Sequence, residues 1–252
     1  MRILVKFPTR GRREPFFSTL DKYYSFADNT DLLEVQVTID SDDKEMNTPE
    51  CLERLRGYKN LIYTLGSSNS KIHAVNRDLK MTGWEILLLA SDDMIPIVQG
   101  YDEVIREKMR AHYPDTDGVL WFNDGNRSDL NTLSILGKRY YDRFGYIYNP
   151  EYKSMYCDYE FMLVGNILGK QTYFPEVIIR HEHPEYGYRE LDETYRSNDI
   201  PYIKDMKVFH KRKAMNFDIG PWWKTRMKGN LFEVKYILHS LKRSLQRTMA
   251  GT

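Results

Sequence analysis

The sequence predicts an α/β fold with a mostly parallel central sheet flanked by helices, and three observations predict it. Short β-rich runs alternate with helix-length amphipathic segments through the first half of the chain. The first four of those runs each end in a polar loop. A length of 252 residues is enough to bury one sizeable core and carry an appendage.

The elements follow in order. "RILVKF" reads as a strand followed by a helix over 13–27; "EVQVTID" is followed by a helix over 48–57. "NLIYTL" precedes a helix over 70–81, and "EILLLA" one over 99–112. Strands joined through helices imply right-handed crossovers and parallel neighbours. The loops "PTRGRR", "DSDD", "GSSNS" and "SDDM" then converge at the carboxyl ends of the strands, where open α/β sheets bind ligands. From about 118 the pattern changes. "GVLWF" and "TLSIL" read as strands joined by "NDGNRSDLN", residues 153–168 as a helix carrying "YCDYEFML", and "VIIRHEHP" as a strand running into two histidines.

This divides the chain into a body over 1–203, with halves 1–115 and 116–203, and a basic extension over 204–252. The extension holds twelve Lys or Arg against three acids, although the whole chain is formally only +1. Leu231, Val234, Leu238, Leu241 and Leu245 recur at helical spacing, with Lys228, Lys235 and Lys242 every seven residues. Such a basic amphipathic helix suits an anionic membrane surface or a polyanion such as DNA; packing its leucines on the body is the plainer account. "GPWWK", residues 220–224, adds two aromatics suited to an interface.

The near-neutral total gives no global electrostatic case for nucleic-acid binding. Cys51 and Cys157 form no CxxC pattern, so neither a disulfide framework nor a structural zinc is indicated. With no signal peptide and no run of about 18 apolar residues, the expected location is the cytoplasm, with peripheral membrane contact left to the tail.

Asp92 and Asp93 follow Leu87, Leu88 and Leu89 directly, and carboxylates dislike burial without partners. An isolated Asp pair is ordinarily a capped turn beside a solvated side chain. Its setting favours a hard divalent cation, Mn²⁺ or Mg²⁺, bridging a diphosphate. Asp40, Asp42 and Asp43 end the second strand where a carboxylate can accept from ribose hydroxyls or a base edge. Arg10, Arg12 and Arg13 can pair with phosphate or carboxylate. Asn69 and Ser70 begin a helix whose N-terminus favours anions. His181 and His183 alternate along an extended segment, so either can complete a cation's coordination; a hydrogen-bonded pair is the plainer account. Asp158 and Glu160 stand near a helix start. Asp158 is the candidate general base, with Tyr156 and Tyr159 lining an acceptor pocket, and a helix-dipole partner is the alternative.

The ordered series "FPTRGR", "TIDSDD", "NSKIHAVN", "LLLASDDM", "WFNDG", "LGKRYYDRFGY", "YCDYEF" and "RHEHP…LDETY" resembles the GT-A glycosyltransferases. It is nearest the family 2-like enzymes and their short relatives in phage genomes and polysaccharide clusters, over about residues 2–198. The resemblance implies a Rossmann-like GT-A fold and a hexosyltransferase using a nucleotide-diphosphate sugar, a UDP- or GDP-sugar. The acceptor would be a carbohydrate, lipid-linked or other polyhydroxy compound. It also implies roles. Pro8, Thr9 and Arg10 would flank the nucleotide, Asp40 or Asp42 would meet the base or ribose, and Lys71 and Asn76 would lie near the pyrophosphate. The family's Asp-x-Asp reads Ser91, Asp92, Asp93 here, making Asp93 the metal ligand and Asp92 a sugar or supporting contact. Asp158 matches the family's catalytic base, with Glu160 a second catalytic candidate two residues on, and His181 or His183 matches the late metal-binding histidine. Single displacement with inversion follows from those roles. Two rivals stand beside this reading: a non-catalytic binding module, favoured by Ser91, and a nucleotidyltransferase, disfavoured because "FPTRGRREPF" holds only Gly11.

Overall fold

The computed structural model describes residues 1–183, 186–188, 201–220 and 238. Its central sheet has seven strands. β1 (Ile3–Thr9) pairs in parallel with β2 (Leu33–Asp40) and with β4 (Ile86–Leu89), while β2 pairs in parallel with β3 (Leu61–Gly66). β7 (Ile135–Gly137) runs antiparallel between β4 and β6 (Val119–Phe122), and β8 (Gln171–Phe174) lies parallel to β6. The order is β3-β2-β1-β4-β7-β6-β8. The chain moves outward from β1 to β2 and β3, then returns to place β4 on the other flank. That reversal opens a crevice at the carboxyl ends of β1 and β4. Pro8, which lacks an N–H, is tolerated because β4 pairs only with Ile3 to Lys6 and has already left β1 at that level.

Alternate residues of the buried strands supply two cores. Ile3, Val5, Phe7, Ile86 and Leu88 pack with Phe16 and Leu20 of α1 (Arg13–Ser25) and Ile105 of α4 (Tyr101–His112). Leu4, Leu87 and Leu89 turn to the other face, against Ile72 of α3 (Lys71–Asn76), Tyr140 of α5 (Lys138–Phe144) and Phe161 of α6 (Cys157–Leu168). On the first face, α2 (Pro49–Arg56) starts as its sequence directs, with Thr48 Oγ1 accepting from the Cys51 N–H and Pro49 at the first helical position.

Two helices are shorter than expected, for the same kind of reason. The helix expected over 70–81 stops at Asn76. Lys6 Nζ donates to the Arg77 carbonyl, Gln36 donates to the Asp78 carbonyl, and Gln36 Oε1 accepts from the Lys80 N–H at 2.8 Å. Strand side chains thus capture backbone groups that further helical turns need for themselves. The helix expected from 153 begins at Cys157. Asp205 accepts from the N–H groups of Lys153, Ser154 and Met155, and Tyr156 adopts φ 63°.

Asp205 belongs to α7 (Tyr202–Ala214), which runs across the boundary expected at 203. That line falls inside a helix whose Asp205, Phe209 and Arg212 are buried against the body. Of the amphipathic pattern farther along, only Leu238 lies among the described residues; Trp222, Trp223 and the lysine heptads lie outside them. Among the described residues, no helix is long and apolar enough to cross a membrane.

Candidate active site

The loops after β1 and β2 interlock through charge. Arg10 grips Asp42 with both terminal nitrogens, at 2.7 and 2.9 Å, and reaches Asp40 Oδ2 at 2.8 Å. The first effect of Arg10 on Asp42 is this hydrogen-bonded contact, which lowers its carboxyl pKa. Arg77 approaches Asp40 from the opposite side, at 3.4 Å, while donating to the Ile39 carbonyl and to Ser68 Oγ. Asp43 acts as a turn cap: it accepts from the N–H groups of Gly11, Glu45 and Met46. Pro8 and Thr9 stand at the end of β1 opposite Thr38 and Ile39, beside these loops.

After β4 the adjacent carboxylates separate. Asp92 is held by Arg12 Nη1 at 3.2 and 3.3 Å, and its backbone carbonyl accepts from Thr19 Oγ1, so α1 anchors it. Asp93 accepts from Ser91 Oγ, and its Oδ2 lies 3.5 Å from His181 Nε2. A small second sheet makes that meeting: β5 (Met94–Pro96) pairs antiparallel with β9 (Ile179–His181), placing His181 opposite Met94. The Glu182 N–H to Asp93 carbonyl bond, 2.7 Å, locks the register at this end.

Asp124, in the turn after β6, completes the cluster. Its Oδ2 lies 3.7 Å from His181 Nδ1 and accepts from Thr132 Oγ1, while Oδ1 accepts from the Asn126 and Arg127 N–H groups. Burial acts to lower the His181 pKa, but hydrogen bonding and charge from Asp124 and Asp93 prevail and raise it to about 9. For Asp124, burial acts to raise the pKa, and the donors His181, Thr132, Asn126 and Arg127 bring it below the ordinary value. His183 lies with its ring 5.5 Å from that of His181, keeping the two imidazoles close as the alternation implied.

Asp93 and His181 present one oxygen and one nitrogen donor at a spacing that suits a single hard or borderline cation, with further positions left for phosphate and water. Among the described residues there is no group of three or more metal-ligating side chains. Asp124 meets the imidazole at its other nitrogen, 3.7 Å from Nδ1.

The remaining expected site residues divide. Asp158 sits half-buried in the first turn of α6, its Oδ1 accepting from the Tyr159 N–H. Lys71 is exposed at the start of α3, whose Ile72 N–H reaches the Lys153 carbonyl, so α3 abuts the segment leading into α6. Asn76 is engaged with backbone: its amide nitrogen donates to the Tyr148 carbonyl, and its oxygen accepts from the Ile147 and Tyr148 N–H groups. Glu160 is buried, accepts from Tyr152 Oη at 2.6 Å, and is paired with Arg212 Nε at 2.8 and 2.9 Å. His73 has the structural place expected, its Nδ1 accepting from the Asn69 N–H. Asp124 and Arg77 were not anticipated. Asp124 carries the same signal as Asp93, an acid at a strand end before a turn. Nothing local marks Arg77.

No protein-family model matches the chain, and no curated protein sequence matches it. Solved structures do match. The mannosyltransferase PcManGT from Pyrobaculum calidifontis, in complex with GDP-Man and Mn²⁺, superposes at a TM-score of 0.66 with 16% identity, over 99% of this chain and 79% of that one. S. aureus TarS 1-349 in complex with UDP-GlcNAc gives 0.58 with 15% identity, over 79% and 64%. Against a longer TarS chain this protein spans 36% of the partner's length. The chain has a GT-A-type glycosyltransferase fold, and the expected Rossmann-like, mostly parallel sheet is the one observed.

Proposed function

We propose that the protein transfers a sugar from a nucleotide-diphosphate sugar to an acceptor hydroxyl, with a divalent cation, Mn²⁺ or Mg²⁺, held by Asp93 and His181. The observation that carries this reading is the Asp93–His181 pair at the strand-order reversal, beside carboxylates and arginines at the ends of β1 and β2. Both neighbours above are nucleotide-sugar complexes, one with Mn²⁺, which supports the donor class and the cation.

In this reading Asp40 and Asp42 meet the ribose or base, and Arg10 fixes their geometry while leaving its own charge near the phosphates. Lys71 meets the diphosphate from the start of α3. A bound cation supplies charge neutralisation for the departing diphosphate. Asp158 takes the acceptor hydroxyl proton as that oxygen bonds to the anomeric carbon. The bond from that carbon to the diphosphate oxygen breaks, its electron pair leaving with the nucleotide. Attack opposite the leaving group through an oxocarbenium-like transition state inverts the anomeric centre.

A thermal-shift panel of nucleoside diphosphates and nucleotide sugars, with and without Mn²⁺, tests the donor site, since a ligand of the folded state raises Tm with its concentration over Kd. UDP or GDP should stabilise the protein only when Mn²⁺ is present, and Asp93→Ala should abolish the response. Silence toward every diphosphate would end this reading. Ser91, in place of the motif's first Asp and donating to Asp93, favours the second reading, a nucleotide-binding module without turnover. Slow Mn²⁺-dependent hydrolysis of a donor that binds would exclude it. The basic tail as a contact for a membrane or a polyanion, and a cytoplasmic location, stay proposals; liposome flotation of the full chain tests the first.

A further inference from the structure

Two tyrosines from separate parts of the chain meet at the head of the helix that carries Asp158. Tyr156, immediately before α6, has φ 63°, a left-handed conformation that bulky residues rarely adopt without a local reason. Its ring lies 5.3 Å from that of Tyr202, the first residue of α7, and the two hydroxyls are hydrogen-bonded at 2.9 Å. Behind them Phe209, 3% exposed, contacts the Tyr156 ring at 5.6 Å and stacks on Tyr159 at 5.1 Å. Tyr202 itself is 44% exposed.

The support for this aromatic pair is stiff. Asp205, one turn into α7, is buried and binds three successive backbone N–H groups of the segment leading to Tyr156. Arg212, two turns farther, is buried on Glu160 of α6. Both ends of the pair are therefore fixed to a shared, charge-bonded frame, and Tyr202 needs little reordering to receive a ligand. A stability role alone does not explain the leading tyrosine. Asp205 and Arg212 already join α7 to α6, yet Tyr156, partly exposed and two positions from the candidate base, takes a left-handed backbone, and its partner Tyr202 on the other helix is 44% exposed.

The geometry points to Tyr156 and Tyr202 as the acceptor subsite, built for a carbohydrate ring. The apolar C–H face of a pyranose carries slight positive charge and packs against the negative face of a tyrosine ring, while paired phenol hydroxyls exchange hydrogen bonds with sugar hydroxyls. The pair is tied to the candidate base through Tyr156, which stands two residues before Asp158 at the start of α6. A ringless polyol phosphate gains no stacking here. The inference rests on the proposed transferase reading and narrows its acceptor class.

The test separates the two. Saturation-transfer NMR on the full chain with Mn²⁺ and GDP or UDP, using methyl α-mannopyranoside, methyl β-glucopyranoside and cellobiose as probes and glycerol 3-phosphate as the ringless control, reads the subsite without turnover. At least one sugar should show transfer to its ring protons, reduced fivefold or more in Tyr202→Ala and kept in Tyr202→Phe, with Tm unchanged in both. Equal transfer in wild type and Tyr202→Ala, no transfer to any sugar, or transfer to glycerol 3-phosphate alone overturns the subsite. Thermal shifts by GDP or UDP on the same samples judge the donor site separately. Donor binding without sugar contact removes only the subsite. Sugar contact without donor binding leaves a sugar site but removes the transferase reading, and with it the site's role as acceptor subsite.

Discussion

The crevice at the strand ends and the seam between α6 and α7 both join acids to arginines, on opposite terms. In the crevice Arg10 is 54% exposed and Asp42 74%, so their contact is screened, exchangeable and open to a ligand. In the seam Arg212 and Glu160 are 3% and 6% exposed, and Tyr152 also donates to the carboxylate. The difference teaches that charge alone does not mark a site. What matters is whether the pair can let go. Asp158 and Glu160, two residues apart on one helix, fall on opposite sides of that division.

The largest expected effect tests those two acids against each other. Asp158→Asn should lower the rate of sugar transfer by about 10²–10⁴-fold, the usual reach of a general base, with Tm and nucleotide binding intact. Glu160→Gln should do the reverse, losing stability while each folded molecule keeps its activity. Steady-state rates beside thermal melts decide it, and a fully folded but inactive Glu160→Gln breaks the contrast.

Next, Arg212→Met leaves the Glu160 carboxylate buried without its partner. The expected cost is about 3–5 kcal/mol in urea unfolding, with most of it recovered in the double variant carrying Glu160→Met as well. A cost near zero would move the seam into the same class as the crevice.

Lys6 sharpens the comparison from a third position, beneath the crevice with neutral partners. Burial lowers its pKa from 10.5 to about 7, with Asp78 opposing and Arg77 adding to the shift. Between those values the unfolded chain binds more protons than the native one, so stability rises with pH from about 7 to about 10.5, and the burden is greatest below 7. The slope is at most about 1.4 kcal/mol per pH unit. Lys6→Met should remove this contribution, which chemical denaturation at pH 7 and pH 9 measures directly.

The smallest effect belongs to Arg10→Ala. Its melting temperature should match wild type, and only nucleotide affinity should fall, more at low salt than at high. Calorimetric titration at two ionic strengths reads it. A large loss of stability instead would show that the crevice pair is structural after all.

The crevice was legible in the sequence because its signals are local. Asp40, Asp93 and Arg10 each follow a β-rich run within a few residues, and the alternation of strands with helices places all such loops on one edge. The sequence separates Asp93 from Asp92 only as the candidate ligand; that Asp92 is held by Arg12 needed the packing of α1. The seam was not legible. Glu160 looked like a companion to Asp158 because its partner Arg212 lies far along the chain, in a region whose charge suggested an appendage. The contacts of Asn76 were hidden for a related reason: an amide near a helix end suits a diphosphate, and only tertiary contact reveals its bonds to three backbone groups. Helix ends at 76 and 157 were set by distant side chains binding backbone, which no local propensity encodes.

The pairing of β5 with β9 also has a consequence for biogenesis. Arg10 and Asp40, 30 residues apart, can meet when little more than the first two strands have been made. Asp93 waits for Ile179–His181 to arrive and dock against Met94–Pro96, a contact between the two halves of the chain. During synthesis the Arg10–Asp40 contact can therefore form early, while the Asp93–His181 contact comes late, after α6 has emerged. Formation of that later contact marks the stage of maturation at which residues 94–96 and 179–181 have met.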